Sequence, residues 1–185
     1  MILHRLGLIN KNQRGFTLIE IMIAIAITAL ITSGITTAIF QMFSINTRST
    51  NHMTAVREVQ NAGYWVSHDA QMAISVELAE GQPGYPAESP VNTKFPLTFT
   101  WREWDNNDTH TVVYTLESGG EPMWLKRSHF INGDVTETNV AQYIIPGVPQ
   151  TNAEFTDGVL TLTVTATVGE TSETRVYEII PRPSL

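Results

Sequence analysis

The sequence predicts an α+β chain: a long N-terminal α-helix packed on a C-terminal antiparallel β-sheet. Three observations predict it. An apolar run from Phe16 to Phe43 continues, with no proline before Pro83, into a stretch with helical spacing. Prolines and glycines then crowd the segment from Glu80 to Pro96. Beyond it lie six short segments in which apolar and polar residues alternate between turn signals.

The helix comes first. Between Phe16 and Phe43 the only ionisable residue is Glu20. About 20 apolar residues, at about 1.5 Å rise each, cross a bilayer core of about 30 Å. This 28-residue run is therefore long enough to span it. Further on, Met53, Val56, Gly63, Val66, Ala70 and Ile74 recur at intervals of three, four and seven and are expected to form one buried face. Arg48, Arg57, Glu58, His68 and Asp69 fall mostly elsewhere, and His68-Asp69 reads as a solvated face. The expectation is one continuous helix from about Phe16 to about Ser75, apolar on every side in its first half and amphipathic in its second. Gly34 and the Thr/Ser cluster from Thr32 to Thr37 are expected to bend or loosen it.

The segment from Glu80 to Pro96 reads as an irregular connection. Strands are then expected over 95–101, 109–116, 122–130, 135–145, 160–168 and 172–180, in an antiparallel meander laid on the helix. Asp105 to Asp108 forms a turn, and Asn132-Gly133 is the strongest two-residue hairpin signal. From Leu160 to Val168 every second residue is apolar and every other is threonine, so one face is buried and one is wet.

Charge sets the orientation. Residues 1–15 hold Arg5, Lys11 and Arg14 and no acid, which leaves eight basic against 18 acidic residues in the remainder, a net charge of −10. Basic residues before a span and an acidic bulk after it place the N-terminus in the cytoplasm and the C-terminal domain outside. The same acidic balance argues against a nucleic-acid partner, which needs clustered Lys and Arg. With no cysteine, the chain has no disulfide, thiol nucleophile or thiolate metal site.

Nothing in the sequence assembles a catalytic centre, so an enzyme, a cofactor and a metal are not expected. The five histidines are scattered, none with a helical i, i+4 partner. Asp105 and Asp108 lack the alternating ligands and glycine of a calcium loop and read as a plain turn. Trp101, Trp104, Trp124 and Tyr143, on predicted strands and turns, read as core aromatics.

The segment Lys11 to Glu20, with basic Lys11 and Arg14, small Gly15 and then Phe16-Thr17-Leu18-Ile19-Glu20, resembles the N-terminal cleavage and methylation motif of type IV prepilins and type II secretion pseudopilins. A secretory signal differs, having a shorter apolar core of about 7–15 residues with the cleavage site after it. The resemblance implies a pilin-like fold and cleavage by a prepilin peptidase between Gly15 and Phe16. It also implies methylation of the new Phe16 amine and a role for Glu20 in subunit assembly, its carboxylate facing the amine of the next subunit. Two further passages resemble the larger minor pseudopilins: Val59 to Trp65 followed by His68-Asp69-Ala70, and the pair Tyr114-x-Leu116 and Leu125-x-Arg127. A minor pseudopilin of type II secretion or a minor type IV pilin is therefore expected. Its partners would be other pilin or pseudopilin subunits, the prepilin peptidase and methyltransferase, the inner-membrane assembly platform and membrane lipid. The expected location is the cytoplasmic membrane, single-pass, and then an extracytoplasmic filament. The expected segments are a leader at 1–15, an assembly helix half at 16–43, an amphipathic half at 44–76 and a β-rich domain at 77–185. The competing class is an anchored extracytoplasmic binding module or enzyme with a prepilin-type signal.

Overall fold

The computed structural model describes residues 15–79, 94–105, 107–117 and 122–182. The leader up to Arg14, most of the Glu80 to Pro96 connection and the Gly119-Gly120 turn lie outside the described residues. Contacts divide the chain into two compact units, Met1–Ile45 and Asn46–Leu185.

Helix α1 (Leu18–Met72) begins in the first unit, and there it is apolar on all sides, with Leu18, Ile19, Ile23, Leu30, Ile35 and Phe40 exposed. Four of its hydroxyls, those of Thr28, Ser33, Thr36 and Thr37, bond back within the helix, as suits a segment passing through lipid. Thr28 Oγ1 donates to the Ala24 carbonyl at 2.7 Å, Thr36 to Thr32 at 2.8 Å and Thr37 to Ser33 at 2.9 Å. The helix continues unbroken through Gly34, contrary to the expected loosening. The hydroxyls that might have competed for backbone groups bond back along the turn instead.

In the second unit the buried face of α1 matches the expected one at Gly63, Val66 and Ala70 and differs elsewhere. It consists of Ala55, Val59, Ala62, Gly63, Val66, Asp69 and Ala70, while Met53 and Ile74 are exposed and Val56 is only half-buried. Small residues won the face because they let the helix backbone come close to the large side chains of the sheet. Gly63 shows this most clearly, since the Tyr177 ring occupies the space a Cβ would need. The Tyr177 hydroxyl donates to the Val59 carbonyl at 3.0 Å.

The helix stops at Met72, three residues before the expected end. Ala73 N–H still bonds back to Asp69, but Ile74 N–H donates to the Thr100 carbonyl at 2.9 Å and passes the chain directly into the sheet. The strand that follows, β1 (Ser75–Leu78), was not anticipated. Next come β2 (Leu97–Arg102), β3 (Thr109–Glu117), β4 (Met123–Ile131), β5 (Asp134–Ile144), β6 (Asn152–Thr156), β7 (Val159–Val168) and β8 (Thr171–Ile179). All the pairings are antiparallel.

Strands β2 to β5 form a meander as expected, which β1 extends at one edge, and β6, β7 and β8 form another. The two join where Ile144 of β5 pairs with Ala166 of β7, so the order across the sheet is β1-β2-β3-β4-β5-β7-β6, not sequential throughout. β8 pairs with β7 along its whole length, so the end of β5 and β6 share the other edge of β7. The sheet curls until β1 approaches β6.

Turn chemistry sets these hairpins. Asn132 and Gly133 both have positive φ, 52° and 97°, as the expected type I′ turn requires. Asp157 and Gly158, at 53° and 79°, repeat it between β6 and β7. β5 has 11 residues against nine in β4, and two register shifts absorb the difference as bulges. At the second bulge Gln142 N–H leaves the ladder and donates to Glu58 of α1 at 2.7 Å.

The core lies between the small-residue face of α1 and the inner face of the sheet, where Leu97, Phe99, Val112, Tyr114, Leu125, Ile144, Leu160 and Leu162 are buried. Of the four aromatics expected there, only Trp101 packs against it. Trp104 sits in the β2–β3 turn and is 99 % exposed. Trp124 occupies an outward position of β4, and Tyr143, at the β5 bulge with φ 61°, is also at the surface.

Asp69 is the largest departure from expectation. Instead of facing solvent it is fully buried. Its Oδ2 accepts from the Tyr114 hydroxyl at 2.5 Å and from Arg127 Nε at 2.6 Å, and its Oδ1 accepts from a second Arg127 nitrogen at 3.0 Å. The Arg127 guanidinium lies 5.2 Å from the centre of the Trp65 ring. Burial opposes the charge on Arg127, but the Asp69 carboxylate more than compensates and holds the guanidinium above its ordinary range. Burial, then the Asp69 charge, pushes the Tyr114 hydroxyl far up. A buried acid is tolerable because paired donors replace the water it has lost.

Candidate functional site

The candidate site is the head of α1. Gly15, Phe16 and Thr17 precede the first helical residue in non-helical backbone, and Phe16 is 83 % exposed. The Gly15–Phe16 bond thus lies outside regular structure, and a Cβ added at Gly15 would meet nothing within 4 Å. The fold of the chain places no demand for glycine there.

Thr17 and Glu20 close the helix with a reciprocal capping box. The Glu20 carboxylate accepts from Thr17 N–H and from the Thr17 hydroxyl, both at 2.9 Å. In return, Glu20 N–H donates to Thr17 Oγ1 at 3.3 Å. A carboxylate in the first turn also faces the positive end of the helix dipole. Glu20 therefore has a task within its own chain that the spacing T-x-x-E announces, although the sequence reading assigned it only one between chains. Both side-chain bonds fall on Oε2.

Below this head one face of α1 forms a shallow groove. Phe16 and Glu20 stand at its top, and Ala24, Thr28, Thr32 and Thr36 follow at every fourth residue. Small residues at this spacing let a second helix approach closely in an apolar medium.

The remaining chemistry-bearing residues lie elsewhere. Asp105 and Asp108 belong to the β2–β3 turn, closed by Glu103 N–H on the Asp108 carbonyl at 2.9 Å. The passages singled out as resembling minor pseudopilins do converge: Asp69, Tyr114 and Arg127, with half-buried Trp65 beside Arg127, form one cluster under α1. His110 and His129, 19 residues apart in the chain, meet across β3 and β4. No helical spacing rule could have found that pair; the antiparallel β3–β4 register, Val112 opposite His129, together with the strand period places both on one face.

No curated protein and no solved structure matches the chain. The profile of the prokaryotic N-terminal methylation motif matches residues 10–36, which include Gly15, Phe16, the capping box and the upper groove. The chain thus carries the prepilin-type signature of type IV pilins and pseudopilins, and this motif supports a type IV pilin-like protein.

Proposed function

We propose that the chain is a structural, non-catalytic subunit of a type IV pilus-like filament, a minor pseudopilin or minor pilin serving protein secretion or pilus assembly. The observation that carries this reading is the capped head of α1 within the methylation motif, an acid four residues beyond Phe16 on a helix otherwise apolar over the expected span. A prepilin peptidase cuts the exposed Gly15–Phe16 bond on the cytoplasmic side, and the new Phe16 amine is methylated. The acidic C-terminal unit lies outside the cytoplasm, and an inner-membrane platform draws the subunit into the fibre. There the small-residue groove accepts a neighbouring helix. Glu20 keeps Oε2 on its own cap and turns Oε1 to the neighbour's amine, which fixes the stacking register.

The capping box offers a discriminating test, because glutamine preserves it and alanine does not. Glu20→Gln and Glu20→Ala should both insert and be trimmed normally, and both should enter the filament poorly. Normal incorporation of Glu20→Gln would remove the charge from the assembly role and leave only the cap.

A further inference from the structure

At one end of the sheet's inner face, β2, β3, β4 and the β2–β3 turn gather Trp101, at the edge of the core, with His110, His129 and Glu103. His110 lies directly opposite Trp101 across the β2–β3 pair. His129 lies opposite Val112, two residues along β3 from His110 and so on the same face. His110 Nδ1 and His129 Nε2 face each other at 3.0 Å. The other nitrogen of His110, Nε2, is 3.3 Å from Glu103 Oε2. Trp101 stacks on both imidazoles, with ring centres at 5.1 and 5.7 Å, which fixes the ring planes. The His110 side chain is only 12 % exposed.

We propose that His110 Nδ1 and His129 Nε2 are the two protein ligands of a divalent transition-metal ion, Zn²⁺ or Cu²⁺, with Glu103 orienting His110 from behind. Two nitrogens bound tetrahedrally at about 2.0–2.1 Å from zinc stand about 3.3–3.4 Å apart, so the pair need open by only a few tenths of an ångström. A carboxylate on the far nitrogen of a ligating imidazole is the usual outer contact. It holds the proton at Nε2 and leaves the Nδ1 lone pair for the metal. Imidazole nitrogen favours zinc and copper over calcium and magnesium.

The charges around the pair are consistent with this use. Glu103 faces His110 from the β2–β3 turn, and Arg127 lies two residues from His129 on β4 with its charge matched by Asp69 of α1. Among the described residues no group of three His, Cys, Asp or Glu converges on a metal position. The remaining coordination positions therefore belong to water or an incoming donor.

The test is a Cu²⁺ and Zn²⁺ titration of the full-length chain in detergent micelles, with Ca²⁺ as control. One saturable Cu²⁺ site is expected, with two nitrogen donors in its electron paramagnetic resonance spectrum, displaceable by Zn²⁺ and indifferent to Ca²⁺. Affinity should rise from pH 5 to pH 7.5 as the ligands lose their protons. His110→Ala and His129→Ala should each lower it tenfold or more and Glu103→Gln by about 10- to 100-fold, with His52→Ala and His68→Ala unchanged. Absence of a saturable site, or a site that His110→Ala and His129→Ala leave within twofold, would overturn the proposal. If either alanine variant loses its fold, the wild-type spectrum decides alone, and any donor set without two imidazole nitrogens refutes the site.

Discussion

Replacing Arg127 by methionine should be among the most damaging single changes in the β-rich unit. Asp69 is fully buried and accepts three hydrogen bonds, two of them from Arg127 at 2.6 and 3.0 Å. Arg127→Met removes both and leaves a buried carboxylate with the Tyr114 hydroxyl, 2.5 Å away, and a long contact of 3.5 Å to His68 Nδ1. Breaking a buried pair from one side costs about 3–5 kcal/mol. Tyr114→Phe removes one donor to a charged acceptor and should cost about 1.5–3 kcal/mol. The double variant Asp69→Leu/Arg127→Met carries no orphaned charge, so it should cost far less than its two single changes together. The assay is urea unfolding of the full-length chain in micelles, followed by circular dichroism and by tryptophan fluorescence, to which Trp65 beside Arg127 contributes. If Arg127→Met stays within about 1 kcal/mol of wild type, or the double variant is simply additive, the cluster does not hold the helix to the sheet as argued.

Three other changes follow from the same packing. Gly63→Ala drives a methyl group into the Tyr177 ring and should cost about 1–3 kcal/mol in the same unfolding assay; Gly63→Ala combined with Tyr177→Ala should recover part of it. Gly133→Ala forces a side chain onto a φ of 97° and should cost about 1–2 kcal/mol, with the β4–β5 amides losing hydrogen-exchange protection first. His129 has a folded-state pKa below the ordinary 6.5, so the unfolded chain takes up its proton more readily. Stability should therefore be intact above about pH 6.5 and fall as pH drops through that value toward the lower folded pKa, and His129→Gln should flatten this part of the profile.

The sequence was most legible where one local signal was strong. The apolar run with its lone acid identified the span, alternating threonines identified β7, and Asn132-Gly133 identified a hairpin. The expected buried helix face is right at Gly63, Val66 and Ala70 and wrong at Met53, Val56 and Ile74, because the close approach of helix to sheet selects small residues such as Ala55 and Ala62 over larger ones nearby. Asp69 was taken for a surface residue because its partner, Arg127, lies 58 positions away and becomes visible only once β4 is laid under α1. β1 and β6 are four and five residues long, too short to show a period. The Asp157-Gly158 turn ahead of β7 was nevertheless a readable signal for the β6–β7 hairpin. The capping box is legible in the spacing Thr17-x-x-Glu20 ahead of the apolar run.

The central claim, that this helix head is a processed and modified N-terminus, is tested most directly by intact-mass spectrometry. The sample should be chain recovered from membranes of cells with an active prepilin peptidase and methyltransferase. A mature species beginning at Phe16 and heavier by one methyl group is the predicted result. A species still beginning at Met1 would contradict it.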